Sequence, residues 1–381
     1  MNDLQRVLDE GVAKRQVPFV VAMTGTAAGV TFSGAAGEAA PGMAAAETTV
    51  FRIYSMSKAI GALAALMLID RGRLTPDTPV ADVLPAWNDL DVIDGWDGDE
   101  PRMRKPRTVA TVHHLATHTS GIEYDSWSAD TLRWLKVTGN PSVVTGRKAG
   151  LMGVLTSDPG TRWGYGPSTD WLGQVVEAVD GRRIDAFCRE EIFDPLGMPD
   201  TVFEADAVAD RLAQVSRRTS EGGFAPMRMG PPAQPEFYGM GHALFSTAPD
   251  YMRFLRMVLN GGALDDVRLL SPETAELMFA DQMRGLTLRP MVSVDPRVTA
   301  DLPLAPGPAP THSFAFVRNE ADVAGKRRAG SLGWAGICNT HYWIDPTTGI
   351  AAILMTQSLP FLEPGMVRLY GAFERAVYDG L

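Results

Sequence analysis

Ser55 and Lys58 stand three residues apart in the segment 51–74, FRIYSMSKAIGALAALMLIDRGRL, just ahead of a long apolar run. Ser-x-x-Lys on a helix places both side chains on one face, one turn apart. With Ser55 at the helix N-terminus, its own amide points outward without an intrahelical partner, at the positive end of the dipole. A partly buried lysine gives up charge readily, because desolvation disfavours the ammonium. The spacing therefore suits nucleophilic chemistry, with Lys58 accepting the proton as Ser55 attacks a carbonyl. A chain this long meets Ser-x-x-Lys by chance about once, so the pair needs company.

Two further stretches supply it. WGYGPSTDWLG (163–173) puts Tyr165 in a Gly-rich bend ahead of a helix that begins near Ser168. A tyrosine hydroxyl beside an amine relays protons to a leaving group; standing alone, the same residue reads as an aromatic closing a loop. GWAGIC (333–338) enters a strand. There Gly336 would let a substrate backbone come close, and the amide of Ile337 would point into a cleft. A competing nucleophile, Ser331 in AGSLG, imitates an α/β-hydrolase elbow. That fold needs an acid and then a histidine after its serine. The histidine that follows is His341, and the first acid, Asp345, comes after it.

In chain order, FRIYSMSK, LATHTSGI (115–122), YGPSTDWLG, PLGMPDT (195–201), GMGHALFSTAPDYMRF (239–254) and WAG with its WIDP hairpin resemble the serine β-lactamase and penicillin-binding-protein superfamily. The resemblance is closest to the class C β-lactamase-like family VIII carboxylesterases, and it spans nearly the whole chain. It implies an α/β (α+β) fold of the β-lactamase/transpeptidase kind: an antiparallel sheet flanked by helices, a mostly helical second lobe and an active site between them. It also implies Ser55 as nucleophile, Lys58 as its proton acceptor, Tyr165 as the proton shuttle, and an oxyanion hole from the amides of Ser55 and Ile337. Trp334, Ala335, Gly336, His118 and His242 would contact substrate, with no metal and no cofactor. Whether Lys58 or Tyr165 is the base in acylation stays open, and the two would titrate as a coupled pair.

Two positions depart from the class C pattern. Pro167 stands where an Asn follows the tyrosine by two residues, and Trp334 stands where the third triplet carries Lys. That lysine supplies positive charge for a substrate carboxylate, whereas tryptophan offers an apolar wall. Neutral acyl esters are therefore expected to be better substrates than anionic β-lactams, unless Arg327 or Arg328 restores the cation. The expected function is a serine hydrolase that forms an acyl-enzyme, a carboxylesterase on short-to-medium acyl esters with weak β-lactamase activity. The alternatives are an amidase, D-amino peptidase or β-lactamase, and, in another class, a catalytically silent penicillin-binding-like sensor or scaffold.

The elements that must position these residues can be read from composition and period. The 381 residues are 45% hydrophobic and 21% charged, enough for one large core or two lobes. A net charge of −10 without a clustered basic face argues against nucleic acid and anionic membranes as partners; a small-molecule ester is expected instead, and oligomeric state is open. Two cysteines, Cys188 and Cys338, could pair, but one pair cannot frame a fold this size, and free thiols fit a reducing cytoplasm. Leu4, Val7, Leu8 and Val12 recur at helical spacing, so the start reads as an amphipathic helix rather than a signal peptide. The apolar run 59–69 is too short to span a bilayer. A soluble, cytoplasmic protein is expected.

Strands are expected at 19–23 and 30–33, then a helix over 59–69 that is apolar all round, hence buried, and stopped by Gly72. Residues 88–100 read as an acidic, solvated loop before the basic PRMRKPR. A calcium loop fails there, because Ile93 falls where an oxygen is needed. Residues 110–215 read mostly helical, and the adjacent His113 and His114 point apart and suit no metal pair. A flexible crossing at 222–235, a helix at 247–259, a loop at 302–310, strands at 339–345 and 349–357, and a helix at 364–378 follow. The outline is a sheet domain from residues 1–80 and 235–381, with a mostly helical insert at 81–234 and a cleft between. Loops 123–147 and 222–238 are expected to shape the pocket; of the methionines, such as Met152, Met227, Met229 and Met240, most are expected in the core and a few to give the cleft an adaptable apolar lining.

Overall fold

Eight strands form one antiparallel sheet in a computed structural model that describes residues 3–304 and 307–380. Expectations that touch Met1, Asn2, Ala305, Pro306 or Leu381, including part of the 302–310 loop, lie outside the described residues. The strands are β1 (Phe19–Gly25), β2 (Val30–Ala40), β3 (Met43–Ala44), β4 (Thr311–His312), β5 (Val317–Arg318), β6 (Leu332–Gly336), β7 (Thr340–Asp345) and β8 (Ile350–Met355). Their order is β4-β5-β6-β7-β8-β1-β2-β3. The sheet thus joins both ends of the chain, with Val21 of β1 opposite Met355 of β8.

Period-2 alternation sorts the side chains onto two cores. Phe19, Val21 and Met23 of β1 face one core with Ala351, Ile353 and Met355 of β8. Val20 and Ala22 face the other with Ile350, Ala352 and Leu354. Both faces are buried, so these strands read as continuous apolar runs. Helices α1 (Asp3–Ala13) and α6 (Pro364–Asp379) cover the second face through Leu8, Met366, Leu369 and Phe373.

The first face carries α2 (Ser57–Asp70), α3 (Val112–Ala116), α4 (Ser168–Asp180) and α5 (Ala248–Leu259). Every residue of α2 from Ser57 through Leu68 is buried, as a helix without a polar face requires. Ile60, Leu63, Leu66 and Leu68 are fully enclosed, each contributing about 2 kcal/mol. The helix stops at Gly72, whose φ of +67° suits glycine and whose amide donates to Ile69 O. Gly61 lets α2 and α4 approach: a Cβ there would sit 2.7 Å from Met240 Cβ and 3.0 Å from Thr169 Cγ2. Helix α5 starts as expected, with Thr247 capping the Asp250 amide and Pro249 in the first turn. One cluster of buried side chains runs from Phe19 through Leu172 to Met355, so the sheet and the helices of residues 110–180 share a core.

The acidic segment 88–100 is not a loop. Val92–Asp97 and Glu100–Arg104 form a hairpin that turns at Gly98, φ +57°. The acidic and basic runs are its two arms, paired by charge across the strands: Arg104 Nε donates to Asp94 (3.0 Å) and Arg102 Nη1 to Asp97 (3.3 Å). Arg104 also holds Asp158 with two parallel bonds of 2.8 and 2.9 Å. Among the described residues, no helix is long and apolar enough to cross a membrane, and both cysteines are free and buried.

Candidate active site

The nucleophile turn is clamped from three directions. Phe51–Arg52 pairs antiparallel with Phe245–Ser246, and Gln357 bonds both the N–H and the carbonyl of Arg52 at 3.1 Å. A 3₁₀ turn, Tyr54–Met56, then leads into α2. Tyr251 OH donates to Met56 O at 2.9 Å, and the Leu244 amide donates to Ser57 Oγ at 3.2 Å. Tyr54 adopts φ +42°, a left-handed conformation that costs a bulky residue roughly 1–3 kcal/mol. The clamps hold this strained residue directly before Ser55.

Ser55 Oγ meets two groups that can handle its proton. Tyr165 OH lies 2.7 Å away and Lys58 Nζ 3.2 Å away. Tyr165 stands in the bend before α4, its ring enclosed by those of His118, Tyr124 and Trp334 at 5.2, 5.3 and 4.8 Å. Trp334 Nε1 donates to Tyr165 OH at 3.2 Å. Trp334 is therefore more than a wall, because it supplies a neutral donor to the tyrosine oxygen.

Lys58 is 4% exposed, and Nζ also reaches Gly241 O at 2.8 Å and Tyr124 OH at 3.0 Å. Tyr124 OH in turn donates to Asp170 Oδ2 at 3.4 Å, and the Gly241 amide donates to Asp170 Oδ1 at 3.1 Å. His242 Nδ1 comes within 3.3 Å of the same carboxylate without the alignment of a hydrogen bond. Burial alone would raise the Asp170 pKa. His242, the Lys58 charge and the Gly241 amide outweigh it and hold the carboxyl below its ordinary range. Burial, followed by the Asp170 charge, pushes Tyr124 well above the usual phenol value, so Tyr124 stays protonated.

These groups open onto a cavity of about 880 Å³, within the range of small-molecule sites. Ser55, Tyr165, Trp334, Ala335, Ile337 and His242 line it. A strap, residues 291–302, also lines it. The strap folds on itself through Met291 and Leu302 and is tied to Ser126 O by the Val294 amide and to Phe361 by two bonds of 2.9 Å. Among the described residues, no group of three or more His, Cys, Asp and Glu is placed to hold a metal ion.

The family model for Beta-lactamase matches residues 4–376. The chain belongs to the beta-lactamase family. It is similar to the ML-236A carboxylate methylbutanoyltransferase mlcH of Penicillium citrinum, at 28% identity over 87% of this chain and 81% of that one. It is similar to the lovastatin esterase of Penicillium rubens, at 28% identity over 86% and 85%. Among solved structures, the LovD6 mutant of simvastatin synthase from Aspergillus terreus superposes with a TM-score of 0.85, at 25% identity, over 99% of this chain and 96% of that one. The fold is the β-lactamase/transpeptidase fold, in a family of serine hydrolases with esterase and acyltransferase members.

In this beta-lactamase-family protein, two residues expected to touch substrate stand elsewhere. A Cβ on Gly336 would fall 2.3 Å from Ile53 O and 2.4 Å from Thr340 Oγ1. The glycine thus admits the nucleophile turn against β6, not a substrate backbone. His118 is buried behind Tyr165, at φ +56° and 5.4 Å from the ring of His312. Burial, then His312 and Lys58, hold it well below the ordinary histidine value. The expected cations also stand apart from Ser55. Arg328 pairs with Asp322, and Arg327 lies beyond Gly333, on the other face of β6 from Trp334. Ser331 Oγ donates to Arg328 O, which gives that serine no base. Tyr124 and Asp170 escaped the sequence reading. Asp170 was visible inside YGPSTDWLG as a carboxylate on a buried helix; Tyr124, two residues after the LATHTSGI stretch, carried no separate signal.

Proposed function

We propose that the protein is a serine acyl-ester hydrolase working through an acyl-enzyme on Ser55. The observation that supports this is the placement of one serine oxygen within 2.7 Å of Tyr165 OH and 3.2 Å of Lys58 Nζ at the wall of a ligand-sized cavity. As Ser55 Oγ attacks the ester carbonyl, its proton passes to the Lys58–Tyr165 pair. The new oxyanion is received by the amides of Ser55 and Ile337. Tyr165 hands the proton to the departing alcohol, and Ser55 is left acylated. Water then attacks the acyl carbonyl as the pair takes its proton, the bond from the acyl carbon to Ser55 Oγ breaks to release the carboxylic acid, and the pair returns the proton to Ser55.

Trp334 in place of a cation beside Ser55 favours neutral groups at the scissile end, hence esters above β-lactams. A second reading, acyl transfer to an alcohol, is supported by the transferase named among the relatives. The chemistry is the same with an alcohol in place of water.

The test is intact mass after fluorophosphonate treatment of wild type and Ser55→Ala, followed by p-nitrophenyl esters, a chromogenic cephalosporin and an alcohol acceptor. One adduct on Ser55, absent from the variant, with ester turnover above cephalosporin turnover, is the expected result. An adduct on Ser331, or a β-lactam turned over with higher kcat/KM than any short-chain ester, overturns the proposal. No adduct and no turnover would point to a silent scaffold.

A further inference from the structure

We infer that the far end of the cavity is a carboxylate-binding subsite built on Arg327; this rests on the acyl-ester reading above and deepens it. Residues of β6 alternate in direction. Trp334 faces Tyr165, while Gly333 and Ala335 have the opposite parity and pair in register with Trp343 and His341 on the α6 side. Gly333 has no side chain, and where its Cβ would begin Arg327 Nη1 stands 3.6 Å away. Arg327 and Ser55 line the same cavity.

The guanidinium is held for use. Nε donates to Glu374 Oε1 at 2.6 Å and Nη2 to Tyr370 OH at 2.5 Å, and the group lies over the rings of Trp343 and Tyr370. Nη1 is committed to neither partner. Glu374 is already shared, because Lys326 Nζ lies 3.2 Å from its other oxygen. Two cations against one carboxylate leave one positive charge at the wall. Around the cavity as a whole, the charged lining residues are Lys136, Arg297 and Arg327 against Asp125 and Asp295, with Arg297 and Asp295 paired to each other. In a chain of net charge −10 the cavity lining thus carries a small positive excess, and low-dielectric walls strengthen its field. A fixed guanidinium with a free edge suits a carboxylate.

Position defines the ligand. Gly333 lies three residues before Gly336, which abuts the nucleophile turn, so Arg327 is at least about 10 Å from the reacting carbonyl, the run along the strand to which the step to its other face adds. The substrate class is an ester carrying a carboxylate at least that far from its scissile bond, on the acyl or the alcohol side.

The experiment compares p-nitrophenyl half-esters of straight-chain dicarboxylic acids, succinate to sebacate, with alkanoates of equal length. A parallel series of acetylated ω-hydroxy acids places the carboxylate on the alcohol side. Wild type is expected to favour the long charged members by about tenfold in kcat/KM, in one series or the other, with the preference shrinking as salt rises. The preference should fall to about a third or less in Arg327→Gln/Glu374→Gln, which removes the guanidinium with its carboxylate partner and leaves Lys326, 19% exposed, to be hydrated. Arg327→Lys should keep part of it. Uncharged esters preferred at every length in both series would overturn the subsite while leaving the esterase. If no ester is turned over, the esterase reading fails instead. Calorimetry with sebacate monomethyl ester then decides: binding by wild type that the double variant loses supports the subsite, and no binding overturns it.

Discussion

Lys58 has three polar neighbours, and their chemistry fixes where each proton can go. Gly241 O only accepts. Tyr124 spends its own proton on Asp170 and so also accepts. In the step where Lys58 takes the Ser55 proton, those two acceptors would hold its N–H bonds and leave the third position on Nζ facing Ser55 Oγ. Tyr124→Phe removes one acceptor without disturbing the backbone. It should lower kcat/KM by about 10- to 100-fold, and a steady-state ester assay with a loss under about threefold would place Tyr124 outside the proton path. Lys58→Ala and Tyr165→Phe should each cost about a thousandfold or more, read as the rate of fluorophosphonate labelling. Ser55, Lys58 and Tyr165 were legible because a short spacing and a Gly-rich bend mark them. Tyr124 and Asp170 were not, because their partnership depends on a carboxylate and a phenol far apart in sequence meeting beneath Gly241.

At the scale of elements, the contact between β6 and the nucleophile turn sets the site's geometry. Gly336→Ala would put a methyl group 2.3 Å from Ile53 O, and backbone cannot yield there as a side chain would. Strand and turn must part. The expected outcome is a melting temperature lowered by an amount corresponding to about 1–3 kcal/mol, with Ser55 labelling slowed more than tenfold. Labelling at the wild-type rate would show that the strand's position does not matter to the nucleophile. Parity and period made β1, β8, α2 and α5 readable. The hairpin at Val92–Asp97 and Glu100–Arg104 was missed because its arms are charged. Like-signed runs look solvated until the opposite arm is seen folded against them, as Arg104 is against Asp94 and Asp158.

At the scale of the molecule, that hairpin is fastened by a titratable bond. Two hydrogen bonds from Arg104, with the Arg107 amide, hold the Asp158 carboxyl down to about 2. Its stabilising contribution is therefore complete above the unfolded value near 4 and is lost as pH falls from about 4 towards 2. Asp158→Asn should melt below wild type at about pH 7, the gap roughly halved at about pH 3 and nearly closed by about pH 2; a gap independent of pH would remove the ion pair from the account. Burial also pushes both thiols up, Cys338 to about 12. Ellman's reagent should label neither in the native protein and both after denaturation. The sheet's two-ended origin was legible from the flanking strand patterns, whereas the strap at 291–302 was not, since its ties to Ser126 and Phe361 involve backbone groups that no residue pattern announces. The pairing of Val21 with Met355 carries a consequence for biosynthesis. A ribosome adding ~10 residues per second leaves β1 with one flank bare for roughly half a minute before β8 emerges. During that interval the nascent chain offers a sticky apolar edge to any neighbour, so slower growth and chaperone supply should govern how much protein a cell can make.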